Sequence, residues 1–241
     1  MVKSKPVYAF EEADSKNRML LGGKGAGLSE MTRLKLPVPS GFTITTEVCN
    51  KYYDNDRKLS KDVMPQVMKN IAKMEKKTGK KWNSTKNPLL VSVRSGAAIS
   101  MPGMMDTILN LGLNEKTVEG FAQQTKNPRF SWDSYRRFIQ LFGKVVFGVN
   151  DEKFDHVLDS AKNKQGVVDD SKLSVGSLKK IVSEYKKICE KHTKRKFPDT
   201  PNEQLGLAIE AVFKSWMGER AVVYREKNGI TKDIANGTAV N

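Results

Sequence analysis

A chain of 241 residues, 38% of them hydrophobic, can bury a core and has room for one large domain or two small ones. Forty-two Lys and Arg against 27 Asp and Glu give a formal charge of +15, whose counterpart is a nucleic acid, an acidic partner or a polyanionic small ligand. Much of that charge lies in 73–81 and 179–196, in or beside helical periodicity and without aromatic interleaving, which reads as solvated helix faces and argues against nucleic acid.

The N-terminal stretch Met1-Val-Lys-Ser-Lys-Pro has no apolar core of a signal peptide, and no apolar run is long enough to cross a bilayer. The reading is a cytosol-like compartment with no membrane role, the organelle left open. Val7 to Phe10 reads as a short strand. Leu20 to Gly27 reads as a glycine-rich turn, after which Leu28, Met31 and Leu34 have helical spacing. Lys24 then stands in a loop at a helix N-terminus, where free N–H groups and the dipole favour an anion. The glycine spacing matches neither a P-loop nor a dinucleotide fingerprint, so phosphate loop and plain tight turn both remain open.

Pro37 to Thr46 alternates apolar residues with Thr after two prolines, the pattern of an edge-entered strand, and a helix follows around 47–53. Cys49 and Cys189 fit no metal spacing and occupy positions suited to a small apolar residue. Met64, Val67, Met68, Ile71 and Met74 predict a core-packing helix starting at or after Asp62, where Pro65 is tolerated in the first turn, and stopping at Gly79. Leu89 to Val93 is then an apolar run ending in Arg94, which opens the loop Ser95 to Asp106. A permanent, planar cation delivered to a Gly/Ser loop is suited to hold an anion, and a phosphate chain is the expected ligand. Ile108–Leu111 resumes a strand, so Arg94 and Thr107 bracket the loop. Met101, Met104 and Met105 in the loop either cover the sheet end or seal the ligand from water.

From Asn114 the pattern turns helical: 116–125, 131–147, 152–163 and 175–191, with His156 in the third and His192 just past the fourth, neither with a partner at ligand spacing. No metal site is read from the residues. Thr200-Pro-Asn-Glu203 is a capping box heading a helix to Trp216. Arg220 to Arg225 reads as a strand returning to the sheet, and 237–241 as a further extended segment at which the chain is cut short.

Leu20-Leu-Gly-Gly-Lys-Gly, Pro39-Ser-Gly-Phe-Thr, Val91-Ser-Val-Arg-Ser-Gly, Met101-Pro-Gly-Met-Met-Asp-Thr-Ile-Leu-Asn-Leu-Gly, Asn127-Pro-Arg-Phe, Asp133-Ser-Tyr-Arg-Arg-Phe-Ile-Gln and Arg220-Ala-Val-Val-Tyr-Arg occur in this order. Together they resemble the N-terminal nucleotide-binding domain of the pyruvate phosphate dikinases, over nearly the whole chain. The resemblance implies an α+β fold, the first lobe of an ATP-grasp clamp (1–113 plus 199–241) with an inserted helical subdomain (114–198). It implies ATP and Mg²⁺ as cofactors, with Lys24 and Arg94 the catalytic cations on the phosphates. Ser100, Met101, Gly103, Asp106 and Thr107 are then the cofactor-binding loop. Its partner would be a swivelling domain of the same parent chain that carries a phosphorylated histidine, in a homo-oligomeric parent. That parent makes phosphoenolpyruvate from pyruvate, ATP and phosphate. The metal ligands, adenine pocket, phosphohistidine and pyruvate site are expected beyond Asn241, leaving this chain alone inactive. Arg136 and Arg137 either dock the swivelling domain or form an ordinary solvated pair. Related phosphoenolpyruvate synthases share the Gly-Gly-Lys-Gly loop but carry acids after the Arg-Ser, where this chain has Gly96-Ala-Ala-Ile. Other readings are a non-catalytic ATP sensor and a basic binding module using Lys179, Lys180, Lys186 and Lys187.

Overall fold

The computed structural model describes residues 4–241; Met1, Val2 and Lys3, part of the N-terminal stretch read above, lie outside the described residues. The fold is mixed α+β. Five strands, β1 (Val7–Ala9), β2 (Phe42–Ile44), β3 (Val91–Ala97), β4 (Thr107–Leu111) and β5 (Thr238–Val240), form one sheet in the order β1-β2-β5-β3-β4. Around them run α1 (Arg18–Arg33), α2 (Thr46–Asp54), α3 (Val63–Thr78), α4 (Glu115–Thr125), α5 (Pro128–Phe147), α6 (Asp151–Gln165), α7 (Val175–Thr193), α8 (Pro201–Ser215) and α9 (Glu219–Lys227).

Internal contacts divide the chain into two units. One holds the chain up to Gly79 with Val93–Thr107 and Ile209–Asn241; the other holds Lys80–Ser92 and Ile108–Ala208.

In the first unit the sheet centre is β5. It pairs antiparallel with β2 at Ile44↔Val240 and with β3 at Ser95↔Val240, Gly96↔Ala239 and Ala97↔Thr238. Val7, Ile44, Val93, Ala97, Ala239 and Val240 are buried along these strands, and Leu21, Val48, Cys49, Tyr52, Val67, Ile71 and Phe213 bury apolar helix faces. Such alternation on strands and 3.6-residue spacing on helices is what removes one face of each element from water. Cys49 is fully buried and unbridged, and burial pushes its thiol up to about 12, so it stays a neutral packing group.

In the second unit α5 packs against α4, α6 and α7, and α6 against α7. Trp132, Tyr135, Phe138, Ile139 and Phe142 on α5 meet Leu178, Ile181, Val182, Tyr185 and Cys189 on α7 in its core. Asn114 caps α4 through bonds from the N–H groups of Lys116 and Thr117, at 3.0 and 2.8 Å. Asn127 caps α5 ahead of Pro128 at its first position, so the pair that ends α4 also starts the next helix, three residues earlier than the periodicity predicts. Thr200 accepts from the N–H of Glu203 at 3.3 Å as the capping box requires.

Three sequence expectations need correction. Arg220 to Arg225 is not a strand but lies in α9. The β-branched pair Val222-Val223 suggested extended chain, yet the place beside β3 is taken by β5, and only Ala221 of this segment is buried. Leu20 to Gly27 is not an open turn: it is helical throughout, except for one break at Gly22 with φ 69° and ψ 164°. Arg136 is not a solvated arginine. It is 3% exposed and held by Asp133, Asp170 and Gln140, whereas Arg137 keeps 58% of its side chain in solvent while pairing with Asp133.

Candidate functional site

The site of interest forms inside the first unit where α1 meets the loop after β3. Asn17 caps α1 by accepting from the N–H of Leu20 at 3.1 Å, and Arg18 is the first helical residue. Four residues on, Gly22 turns into the left-handed region. A Cβ placed there would stand 1.8 Å from the carbonyl oxygen of Gly96, so only glycine lets the two backbones touch. The helix then restarts, which places Lys24 in the first turn after the break, where N–H groups lack helical acceptors.

Gly96 supplies the other half of the approach. A Cβ on it would meet Asn241 Nδ2 at 2.8 Å and the Cβ of Lys24 at 3.2 Å. Two residues earlier, Arg94 is fixed by the sheet: its N–H donates to Asn241 O at 2.9 Å, and its carbonyl accepts from the Asn241 N–H at 2.8 Å. Strand alternation buries Val93 and turns the Arg94 side chain outward. No carboxylate lies within 4.0 Å of its guanidinium among the described residues.

Lys24 and Arg94 are close enough to act on each other. Partial burial pulls the Lys24 ammonium below the ordinary lysine value, and the positive charge of Arg94 lowers it further. Two cations that repel each other, with no carboxylate between them, are stabilised by an anion.

A cavity of about 510 Å³ opens at this point, lined by Arg18, Gly23, Lys24, the end of β3 from Ser95 to Ala97, the loop from Ala98 to Gly103, Met105 and Thr107. Of the residues expected from sequence, Lys24, Ser100, Met101, Gly103 and Thr107 line it; Arg94 and Asp106 are not on its wall. Met101 is buried and roots the loop, Met104 and Met105 are half-buried, and Gly103 takes a φ of 73°. Arg220 on α9 holds the loop from outside, donating to Gly103 O at 3.4 Å and standing 3.9 Å from the Asp106 carboxylate.

The sequence reading missed Arg18 and Arg220. Arg220 was hidden by the strand misreading. Arg18 had a signal that went unused: α1 opens with a cation and has no acidic residue in its first turn, against the preference of the helix dipole. No group of three His, Cys, Asp or Glu able to hold a metal ion occurs among the described residues, and Asp106 faces Arg220. No helix among the described residues is long and apolar enough to cross a membrane.

Comparison with known proteins identifies the family. The family model described as pyruvate phosphate dikinase, AMP/ATP-binding domain, matches residues 18–63 and 55–241. The chain is 54% identical over 98% of its length to the pyruvate, phosphate dikinase of Entamoeba histolytica, 49% over 99% to that of Clostridium symbiosum, and 47% over its full length to that of Giardia intestinalis. It spans about 27% of the length of the first two relatives and 28% of the third. These matches, which cover both the Gly22 break and the Arg94 loop, show that the chain belongs to the pyruvate phosphate dikinase AMP/ATP-binding domain family.

Proposed function

We propose that this chain grips the phosphates of ATP as the first lobe of an ATP-grasp clamp, and that it acts within a pyruvate, phosphate dikinase. The observation that carries the reading is the pair Lys24 and Arg94, mutually repelling and without a carboxylate partner, beside a cavity walled by a glycine- and serine-bearing loop. Lys24 and Arg94 are the catalytic cations, and Ser100, Met101, Gly103, Asp106 and Thr107 the cofactor-binding loop. Lys24 and backbone N–H groups after the Gly22 break neutralise the phosphate oxygens, while Arg94 offers a planar fork to the same chain. In phosphoryl transfer, positioned cations stabilise charge that redistributes as the transferred group departs. The acceptor is a histidine on a swivelling domain of the parent, from which the phosphoryl group passes to pyruvate.

The lobe comprises 1–113 plus 199–241, with 114–198 the helical insertion, and the parent is a homo-oligomer in a cytosol-like compartment. Mg²⁺ comes with the nucleotide and takes its protein ligands from elsewhere in the parent. A phosphoenolpyruvate synthase-like role is disfavoured by the uncharged run Gly96-Ala-Ala-Ile. A basic binding module is disfavoured because Lys179 pairs with Glu119 and lies over the Trp132 ring, Lys186 is held by Glu115 and Asp199, and Lys187 pairs with Glu184.

Calorimetric titration of the chain with ATP tests the reading. Binding is expected to be weak and salt-sensitive, and Arg94→Ala and Lys24→Ala each weaken it about tenfold with the fold intact. Unchanged affinity in both variants refutes it, and release of AMP and pyrophosphate by the chain alone refutes the expectation that the chain is inactive by itself.

A further inference from the structure

The geometry points to Arg18 as a cationic arm that lines the cavity beside Lys24, with Arg94 off its wall, and that lengthens the grip on a phosphate chain. The inference rests on the phosphate-binding reading above and deepens it.

Three observations meet at Arg18. It lines the cavity together with Lys24 and the loop. A Cβ built on Gly23 would lie 3.4 Å from Arg18 Nη2, 3.2 Å from Ala98 O and 3.4 Å from Ala97 O, so the guanidinium lies beside the loop's first residues. The side chain is exposed, and no carboxylate stands within 4.0 Å of it among the described residues. A cation at the first position of a helix is opposed by the dipole's positive end. Left unpaired there, it is stabilised by whatever anion enters.

The three cations have an order. Arg94 is on β3 itself, Lys24 adjoins Gly96, and Arg18 reaches the level of Ala97 and Ala98 through Gly23. These neighbours follow the chain from β3 into the loop. A row of cations suits a linear polyanion: two members serve a diphosphate, and the third engages only a longer chain. Arg18 also borders a second cavity beside Lys16, Glu30 and Arg33. Glu30 there is already engaged by Ser15 and Arg33, so it does not hold Arg18.

Inorganic tripolyphosphate and pyrophosphate, titrated calorimetrically into the chain, are the probes. The native chain is expected to bind tripolyphosphate about tenfold more tightly than pyrophosphate. Arg18→Gln, which keeps the stem and removes the charge, loses that preference and leaves pyrophosphate affinity nearly unchanged; Arg18→Lys restores part of it. Lys24→Ala weakens both probes. If Arg18→Gln, folded by circular dichroism, keeps the native preference while Lys24→Ala weakens both, the Arg18 arm is overturned and the phosphate reading stands. If neither substitution alters either affinity, both fall together.

Discussion

Lys24 carries a cost in the free protein that a phosphate chain, bound as proposed, removes. Its folded-state pKa is depressed by partial burial and by Arg94 below the ordinary 10.5. At pH values beneath the depressed pKa the lysine is charged in folded and unfolded chains alike. Between the depressed value and 10.5 the unfolded chain holds the extra proton, so stability rises with pH across that window. A bound phosphate chain acts in the opposite sense, because it favours the ammonium. ATP affinity should therefore fall as pH climbs through the same window, and binding there should take up a proton, seen as a dependence of the calorimetric heat on buffer ionisation. In Lys24→Ala both effects vanish. Persistence of the proton uptake in that variant would assign it to another group. That Arg94 stands on a strand was legible from the apolar run before it, although β3 runs on to Ala97 and does not end there. The Gly22 break was not, since spacing alone cannot separate a glycine that turns the chain from one that admits a neighbouring backbone.

Among the elements, α5 carries the sharpest contrast between adjacent residues of one type. Arg136 is buried against Asp133 and Asp170, with Nε 3.1 Å from Asp133 Oδ1, while Arg137 reaches the same Asp133 from solvent. Removing one member of a buried ion pair leaves the other charge desolvated, whereas an exposed pair gains little over hydration. Arg136→Met should cost about 3 kcal/mol in urea unfolding, and Arg137→Ala about 0.5 kcal/mol. Equal losses would mean that the burial contrast has no energetic weight. The helical stripe of α5 announced its core face in the sequence, but not which arginine turned inward, because that depends on Asp170 reaching it from 34 positions away. The same limit explains α9 and β5. Local propensity favoured a strand at Val222-Val223, and only pairing across more than a hundred residues puts Thr238–Val240 between β2 and β3.

At the scale of the whole molecule, the surplus of +15 acts in two ways with opposite salt dependence. It destabilises the folded chain by self-repulsion, and it draws anions toward the cavity. Several surface lysines are already neutralised locally: Lys73 and Lys77 on α3 pair with Glu12 and Glu11, and their hydrogen bonds hold the Glu12 carboxyl, and against burial that of Glu11, below the usual range. These pairs are exposed, so screening them costs little stability. The long-range repulsion is larger in sum and more easily screened. Raising monovalent salt from about 0.01 M to about 0.1 M shortens the Debye length from about 30 Å to about 10 Å. The melting temperature of the free chain should therefore rise over that range while its affinity for ATP falls. The two slopes have separate origins, which Lys24→Ala exposes. Losing one cation of many leaves the thermal slope almost as it was, whereas, if Lys24 meets the phosphates as proposed, its loss flattens the binding slope. If melting temperature and affinity moved in the same direction with salt, the basic surplus would be stabilising the fold through its ion pairs, and electrostatic capture of a polyanion would no longer account for it.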